Sequence, residues 1–273
     1  MELDTERMER WGNGVLGERI PPSLHRSNLY LGDFMKIKIF PDADAVAQKA
    51  AEIIAAEARA AVKARGRFIV AVSGGHTPWQ MLRALADEEI PWKEMHVVQV
   101  DERIAPAGDP DRNLTHLYES LLEHAAQRRE RIYAMPGEAP ELESAAGRYT
   151  GTLREIAGSP PVLDLVHLGL GPDGHTASLV PEDPVLNVTD SEVALTGTYQ
   201  GRRRMTLTYP ILNRARSILW LVTGKDKVAA LARLREGDVT IPAGRIQRDN
   251  ALVLADQAAA GHSDSTEVRI TRM

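Results

Sequence analysis

Residues 162–181 read VLDLVHLGLGPDGHTASLVP, an apolar run leading into a loop where Gly169, Gly171 and Gly174 keep the G-x-G-x-x-G spacing of a dinucleotide-binding turn. That fingerprint needs its third glycine to open a helix crossing to a second parallel strand, with an acidic residue about 20 positions further on. Here Pro181 and Pro184 forbid a long crossover helix, because proline has no N–H to donate and clashes with the preceding turn. The stretch therefore reads as a buried strand ending in a glycine-framed loop, not as a nucleotide site. The loop sets Asp173 and His175 two residues apart, among small neighbours Gly174, Thr176, Ala177 and Ser178 that leave room for a ligand.

Outward from this strand the same texture recurs. MKIKIF (35–40) alternates as a short strand, and Asp42 or Asp44 can cap the alanine-rich helix that runs to about Ala64, where Gly66 stops it. RFIVAVS (67–73) reads as a buried strand, with Thr77 suited to the N-cap and Pro78 to the first turn of the helix that follows. MHVVQVD (95–101) is a strand leading into a loop, DERIAPAGDPDRN, and helices follow near Leu114 to Ala126 and across Glu141 to Ala157. VALTGT, RMTLTYPIL, SILWLVTG, the helix DKVAALARLRE and ALVLADQAAA complete the series. Apolar runs of this length separated by helices predict an α/β protein with a mostly parallel sheet covered on both faces. One domain over 35–260 fits, with no internal repeat, an irregular N-terminal extension over 1–34 and a tail over 261–273.

In such sheets ligands bind beyond the carboxyl ends of the strands. Four stretches are placed there. SGGHTP (73–78) has Gly74 and Gly75, which let backbone N–H groups approach an anion at a helix N-terminus, yet no Gly-Lys-Ser/Thr follows to make a Walker loop. Asp101 ends an apolar strand beside Arg103. The Gly169–Ser178 loop carries Asp173 and His175. Lys225 and Lys227 flank Asp226 at a helix start, where a cation opposes the helix dipole unless an anionic ligand is shared. Of Arg202, Arg203 and Arg204, at least two read as a solvated edge.

The rest of the composition narrows the classes. The 273 residues are 43% hydrophobic and 26% charged, with a net charge of −5 and no cysteine, which excludes disulfides, thiolate catalysis and Cys-ligated metal. There is no basic excess to recommend nucleic acid, no G-x-S-x-G elbow, no His cluster at metal-ligand spacing and no apolar run long enough for a membrane helix. A cytoplasmic protein with neither a nucleic-acid nor a membrane partner is expected.

SGGHTP, DER with DRN (111–113), GLGPDGHTASLVP, RMTLTYPILNRAR, VTGKDK, IPAGRIQ and LVLAD, in this order from about residue 35 to 260, resemble the family of 6-phosphogluconolactonases and glucosamine-6-phosphate deaminases. The resemblance implies a three-layer α/β/α, doubly wound fold and a site without cofactor or metal. It implies hydrolysis of a small sugar-phosphate lactone, 6-phospho-D-glucono-1,5-lactone, by a monomer or small homo-oligomer. On this reading the catalytic residues are His175, Asp173 and Asp101. Ser73, Gly74, Gly75, His76, Thr77, Arg103, Asn113, Arg204 and Lys227 bind substrate and its phosphate. The deaminases need a glutamate five residues after the histidine and an aromatic after "DE"; Val180 and Arg103 stand there instead and favour the lactonase. A non-catalytic sugar-phosphate sensor is the alternative from another class, and the extension is too short and broken to supply its helix-turn-helix. His76 and Arg112 depart from the family's small residues at these positions.

Overall fold

A computed structural model describes residues 35–122 and 131–261, all of which belong to one compact unit. The expectations for 1–34, for the end of the 114–126 helix and for 262–273 lie outside the described residues. Seven parallel strands form the central sheet: β1 (Lys36–Phe40), β2 (Phe68–Val72), β3 (Met95–Gln99), β5 (Ile132–Tyr133), β6 (Leu165–Gly169), β9 (Ser217–Val222) and β10 (Ala251–Asp256). Their spatial order is β1-β10-β9-β6-β2-β3-β5. β2 is buried at all five positions, as a strand covered on both faces must be.

The first helix, α1 (Ala43–Arg65), starts where Asp42 accepts from Ala45 N at 2.8 Å and stops at Gly66, whose φ of 74° suits a residue without a Cβ. Ala47, Ala50, Ala51, Ile54, Ala55, Ala58 and Ala61 form its buried stripe, small enough to bring it close to α2 (His76–Ala86) and the sheet. α1, α2 and α3 (Asn113–Leu122) supply side chains to one core cluster, and α4 (Leu142–Ala157), the short α5 (Tyr209–Leu212) and α6 (Val228–Glu236) to the other. Trp220, fully buried, belongs to the second cluster. The predicted doubly wound, mostly parallel architecture is what the chain adopts.

Two details differ from expectation. Helix α2 begins at His76 with Gly75 as its cap and no side-chain cap bond, so Thr77 and Pro78 sit inside the first turn rather than at the N-cap and N1. The Thr77 hydroxyl is instead taken by Thr223 Oγ1 at 2.7 Å, across to the end of β9. The DER stretch is not loop: Val100 donates to Val72 O, and the chain then leaves the sheet as β4 (Asp101–Arg103). This strand pairs antiparallel with β8 (Arg204–Leu207), which pairs antiparallel with β7 (Val193–Leu195). The small second sheet places Arg103 opposite Arg204 over the strand ends.

Strand order reverses between β2 and β6: β2 is followed by β3 on one side, while β6 is followed by β9 and β10 on the other. A crevice opens at such a switch point. The SGGHT turn leaves β2 and the Gly169–Ser178 loop leaves β6, so both border it.

Candidate active site

Of the predicted residues, all but Asp173 line one cleft of about 380 Å³ at this switch point. Gly169, Gly171, Ala177, Thr223 and Asp226 complete much of its wall. Asp173 stands behind His175, in contact with it.

The histidine loop is built around that contact. His175 Nδ1 lies 2.6 Å from Asp173 Oδ1, and the His175 backbone N–H donates to the same oxygen at 3.1 Å. A carboxylate only accepts, so Nδ1 carries a proton, and in the neutral ring the lone pair is on Nε2, which has no hydrogen-bond partner among the described residues. Burial raises the Asp173 carboxyl, but the His175 N–H, the imidazole and the Tyr199 hydroxyl outweigh it, and the group ionises below the ordinary carboxylate range. Gly171 is required for this packing, because a Cβ there would overlap the His175 ring and lie 2.7 Å from Asp173 Oδ1. Gly174, at φ 84°, faces Ile241, and its carbonyl accepts from Ala243 N at 2.9 Å. Ala177 keeps a positive φ of 52° on the cleft wall, a local strain that the surrounding bonds hold in place.

The turn after β2 is held from below. Fully buried His167 accepts from Ser73 N at 3.2 Å through Nδ1, and its carbonyl accepts from the Ser73 hydroxyl at 3.1 Å. Burial pushes the imidazole down to about 3, so it is neutral with the proton on Nε2. The uncapped first turn of α2 and the exposed Gly75 and His76 then face the cleft with backbone N–H groups free for an anion. Lys227 comes to the same cleft from the turn before α6, its Nζ 2.8 Å from Asp226 Oδ2.

The opposite wall carries charge on a rigid frame. Asp101 is buried, accepting from Ser178 Oγ at 2.5 Å and from Asn113 Nδ2 at 3.3 Å. Asn113 in turn accepts from Arg103 Nη1, and Gly74 leaves room for it: a Cβ there would strike the Asn113 amide. Arg204 is buried beside Asp101; burial lowers its pKa, the Asp101 charge opposes this, and its Nε has no partner among the described residues. Arg202 is bound to Asp109 and Asp111, and Arg203 is exposed, which leaves Arg204 as the arginine of that triplet in the cleft.

Three groups in this frame are not legible from motif spacing. Glu102, wholly buried, accepts from Arg103 N, Asn113 N, Leu114 N, Gln99 Nε2 and Arg112 Nε, so it caps α3 and fixes both neighbours of the cleft. Arg112 is as buried as its partner and also meets Glu138 and the Met135 carbonyl. Tyr199 touches the His–Asp pair from a hairpin tip. The donors to Glu102 are scattered from 99 to 114, and Tyr199 lies 24 residues beyond His175, so neither has a local signature. Among the described residues no group of three or more His, Asp or Glu could hold a metal ion, and no helix is long and apolar enough to cross a membrane.

The fold and this cleft define a doubly wound α/β protein with a His–Asp pair beside a helix N-terminus suited to an anion at its switch point. The chain is a member of the glucosamine-6-phosphate isomerase/6-phosphogluconolactonase family, whose model matches residues 41–254. It is similar to the 6-phosphogluconolactonase of Nostoc sp., 34% identical over 232 residues covering 82% of this chain and 96% of that one. It is also similar to that of Synechocystis sp., 39% identical over 207 residues covering 73% and 86%. The crystal structure of 6-phosphogluconolactonase from Thermotoga maritima superposes with a TM-score of 0.71 at 27% identity, covering 81% of this chain and 98% of that one.

Proposed function

We propose that the chain hydrolyses 6-phospho-D-glucono-1,5-lactone to 6-phospho-D-gluconate in the cytoplasm, as a step of the oxidative pentose phosphate pathway. The observation that carries the mechanism is the His175–Asp173 pair, which turns Nε2 toward a cleft lined by Arg103, Arg204 and Lys227 beside Asp101 and Asp226. Curated relatives covering most of the chain bear the name 6-phosphogluconolactonase, which supports the substrate.

In this reading the substrate phosphate lies against the SGGHT turn, the start of α2, Thr77, Lys227 and Arg204. A phosphate displaces Asp226 from Lys227 and relieves the unfavourable cation at the helix start. Nε2 of neutral His175 takes a proton from water while the water oxygen bonds to the lactone C1. The carbonyl electrons move onto its oxygen, held by Arg103 and nearby N–H groups. Collapse of this intermediate re-forms the carbonyl and breaks the bond from C1 to the ring oxygen, which takes the proton from the imidazolium and leaves as the C5 hydroxyl. The new carboxyl group releases its proton to solvent. Asp173 keeps the ring in the required tautomer and stabilises the imidazolium, and Asp101, held by Ser178 and Asn113, orients substrate hydroxyls.

A deaminase would need an acid where Val180 is, and Val180 is buried and carries no proton. The test uses lactone made freshly from glucose 6-phosphate and follows its disappearance above the spontaneous rate, beside ammonia release from glucosamine 6-phosphate. Accelerated lactone loss without ammonia is expected; ammonia release, or lactone loss at the spontaneous rate, refutes the reading.

A further inference from the structure

The tip of the hairpin between β7 and β8 lies against both halves of the cleft. Tyr199 and Arg202 exchange backbone hydrogen bonds at 2.9 and 3.3 Å, and the two residues between them, Gln200 and Gly201, have φ of 52° and 80°. Positive φ at both central positions defines a type I′ turn, whose twist suits a hairpin and costs a non-glycine residue such as Gln200 some strain. The turn aims two side chains back at the site. The Tyr199 hydroxyl donates to Asp173 Oδ2 at 3.1 Å, the oxygen not engaged by the His175 ring. Its ring meets the His175 ring edge-on at 5.4 Å, and the Arg204 guanidinium lies 5.1 Å from its centroid. Gln200 Oε1 accepts from Arg204 Nη2 at 3.2 Å.

We propose that Tyr199 is a positioning residue that orients Asp173 and His175 through its hydroxyl and Arg204 through its ring, so that one hairpin tip couples the proton-transfer half of the site to its anion-binding half. The phenol is suited to this task. Burial and the Asp173 charge raise its pKa, so it stays a donor at neutral pH. With Oδ2 held by Tyr199 and Oδ1 by the His175 N–H groups, the carboxylate has little freedom to rotate, and the imidazole follows it. The ring face toward Arg204 places a quadrupole against a desolvated cation whose Nε has no hydrogen-bond partner among the described residues.

The kinetic consequences rest on the lactonase reading; the geometry does not. Y199F keeps the ring and removes the hydroxyl, so it should lower kcat about tenfold, the worth of one hydrogen bond to a charged group, and leave KM within about twofold. Y199L removes both contacts and should raise KM as well. Because hydroxyl and carboxylate act as one unit, Y199F should cost nothing further in a D173N background. The ¹⁵N spectrum of the His175 ring in the substrate-free chain should show the Nδ1–H tautomer in wild type and a larger Nε2–H population in Y199F, with the urea midpoint unchanged. An unchanged ring spectrum in Y199F, or a Y199F loss that adds fully to that of D173N, overturns the proposal. If the wild-type chain opens no lactone, the functional reading falls, and the ring spectra alone decide the role of Tyr199.

Discussion

Replacing Glu102 by glutamine tests whether the wall of the cleft depends on a buried carboxylate. Arg103 N and Asn113 N approach Oε1, each at 2.8 Å, and Gln99 Nε2, Leu114 N and Arg112 Nε approach Oε2 at 3.0, 2.9 and 3.3 Å. Every one of these neighbours is a donor. A glutamine amide has one oxygen and one NH₂, so in either orientation its NH₂ faces at least two N–H groups and orphans them. Each buried hydrogen bond to a charged group is worth about 1.5 to 3 kcal/mol, so losing two costs about 3 to 6 kcal/mol. Breaking a buried ion pair from one side costs about 3 to 5 kcal/mol by direct comparison, and the two figures describe the same loss and are not summed. Against a total stability of about 5 to 15 kcal/mol this is a large fraction. Urea unfolding followed by tryptophan fluorescence reads it as a lowered midpoint. R112M breaks the same ion pair from the other side while leaving Glu102 its four other N–H donors, so it reads the worth of the ion pair apart from those bonds. A loss below about 1 kcal/mol in E102Q refutes the reasoning.

Two further predictions concern the floor of the site and its charge. His167 has a folded pKa of about 3 against 6.5 unfolded, so below pH 6.5 the unfolded chain binds a proton that the folded chain does not, and stability falls as pH drops toward 3 by up to about 1.4 kcal/mol per unit. H167N retains an acceptor for Ser73 N and cannot titrate; the slope of unfolding free energy between pH 6 and 4 should be shallower than in wild type, and an equal slope contradicts the assignment. R204A and K227A should each raise KM for the phosphorylated lactone through loss of a charge-assisted contact of about 1.5 to 3 kcal/mol, with smaller effects on kcat. Equal KM for phosphorylated and unphosphorylated lactone in the wild type would show that neither cation reads the phosphate.

The parallel sheet was readable because its strands are continuous apolar runs bounded by glycine and capping residues, as in RFIVAVS before Gly74 and the α1 helix between Asp42 and Gly66. The His175 loop was readable for the opposite reason: Pro181 and Pro184 break a pattern that would otherwise mean a nucleotide. What local sequence did not carry was the second sheet. Asp101–Arg103 is too short and polar to announce itself as a strand, and it is one only because β8 arrives from a hundred residues away to pair with it. The Thr77 expectation failed for a related reason, since a threonine at a helix start is a cap by local rules, yet here its hydroxyl is claimed by Thr223 from another strand end. Gly171, which by spacing alone belongs to a nucleotide-like fingerprint, provides the space in which the His175 ring sits. Arg112, a departure from the family pattern, proves to be a buried partner of Glu102 rather than a ligand of the cleft.

The central claim is that His175 is the general base that delivers water to the lactone carbonyl. The measurement is the kcat of H175A on freshly prepared 6-phospho-D-glucono-1,5-lactone, with the spontaneous rate subtracted and the urea midpoint matched to wild type. A general base contributes about 10² to 10⁴ in rate, so kcat should fall by that factor while KM changes little. A kcat close to that of the wild type would contradict the account.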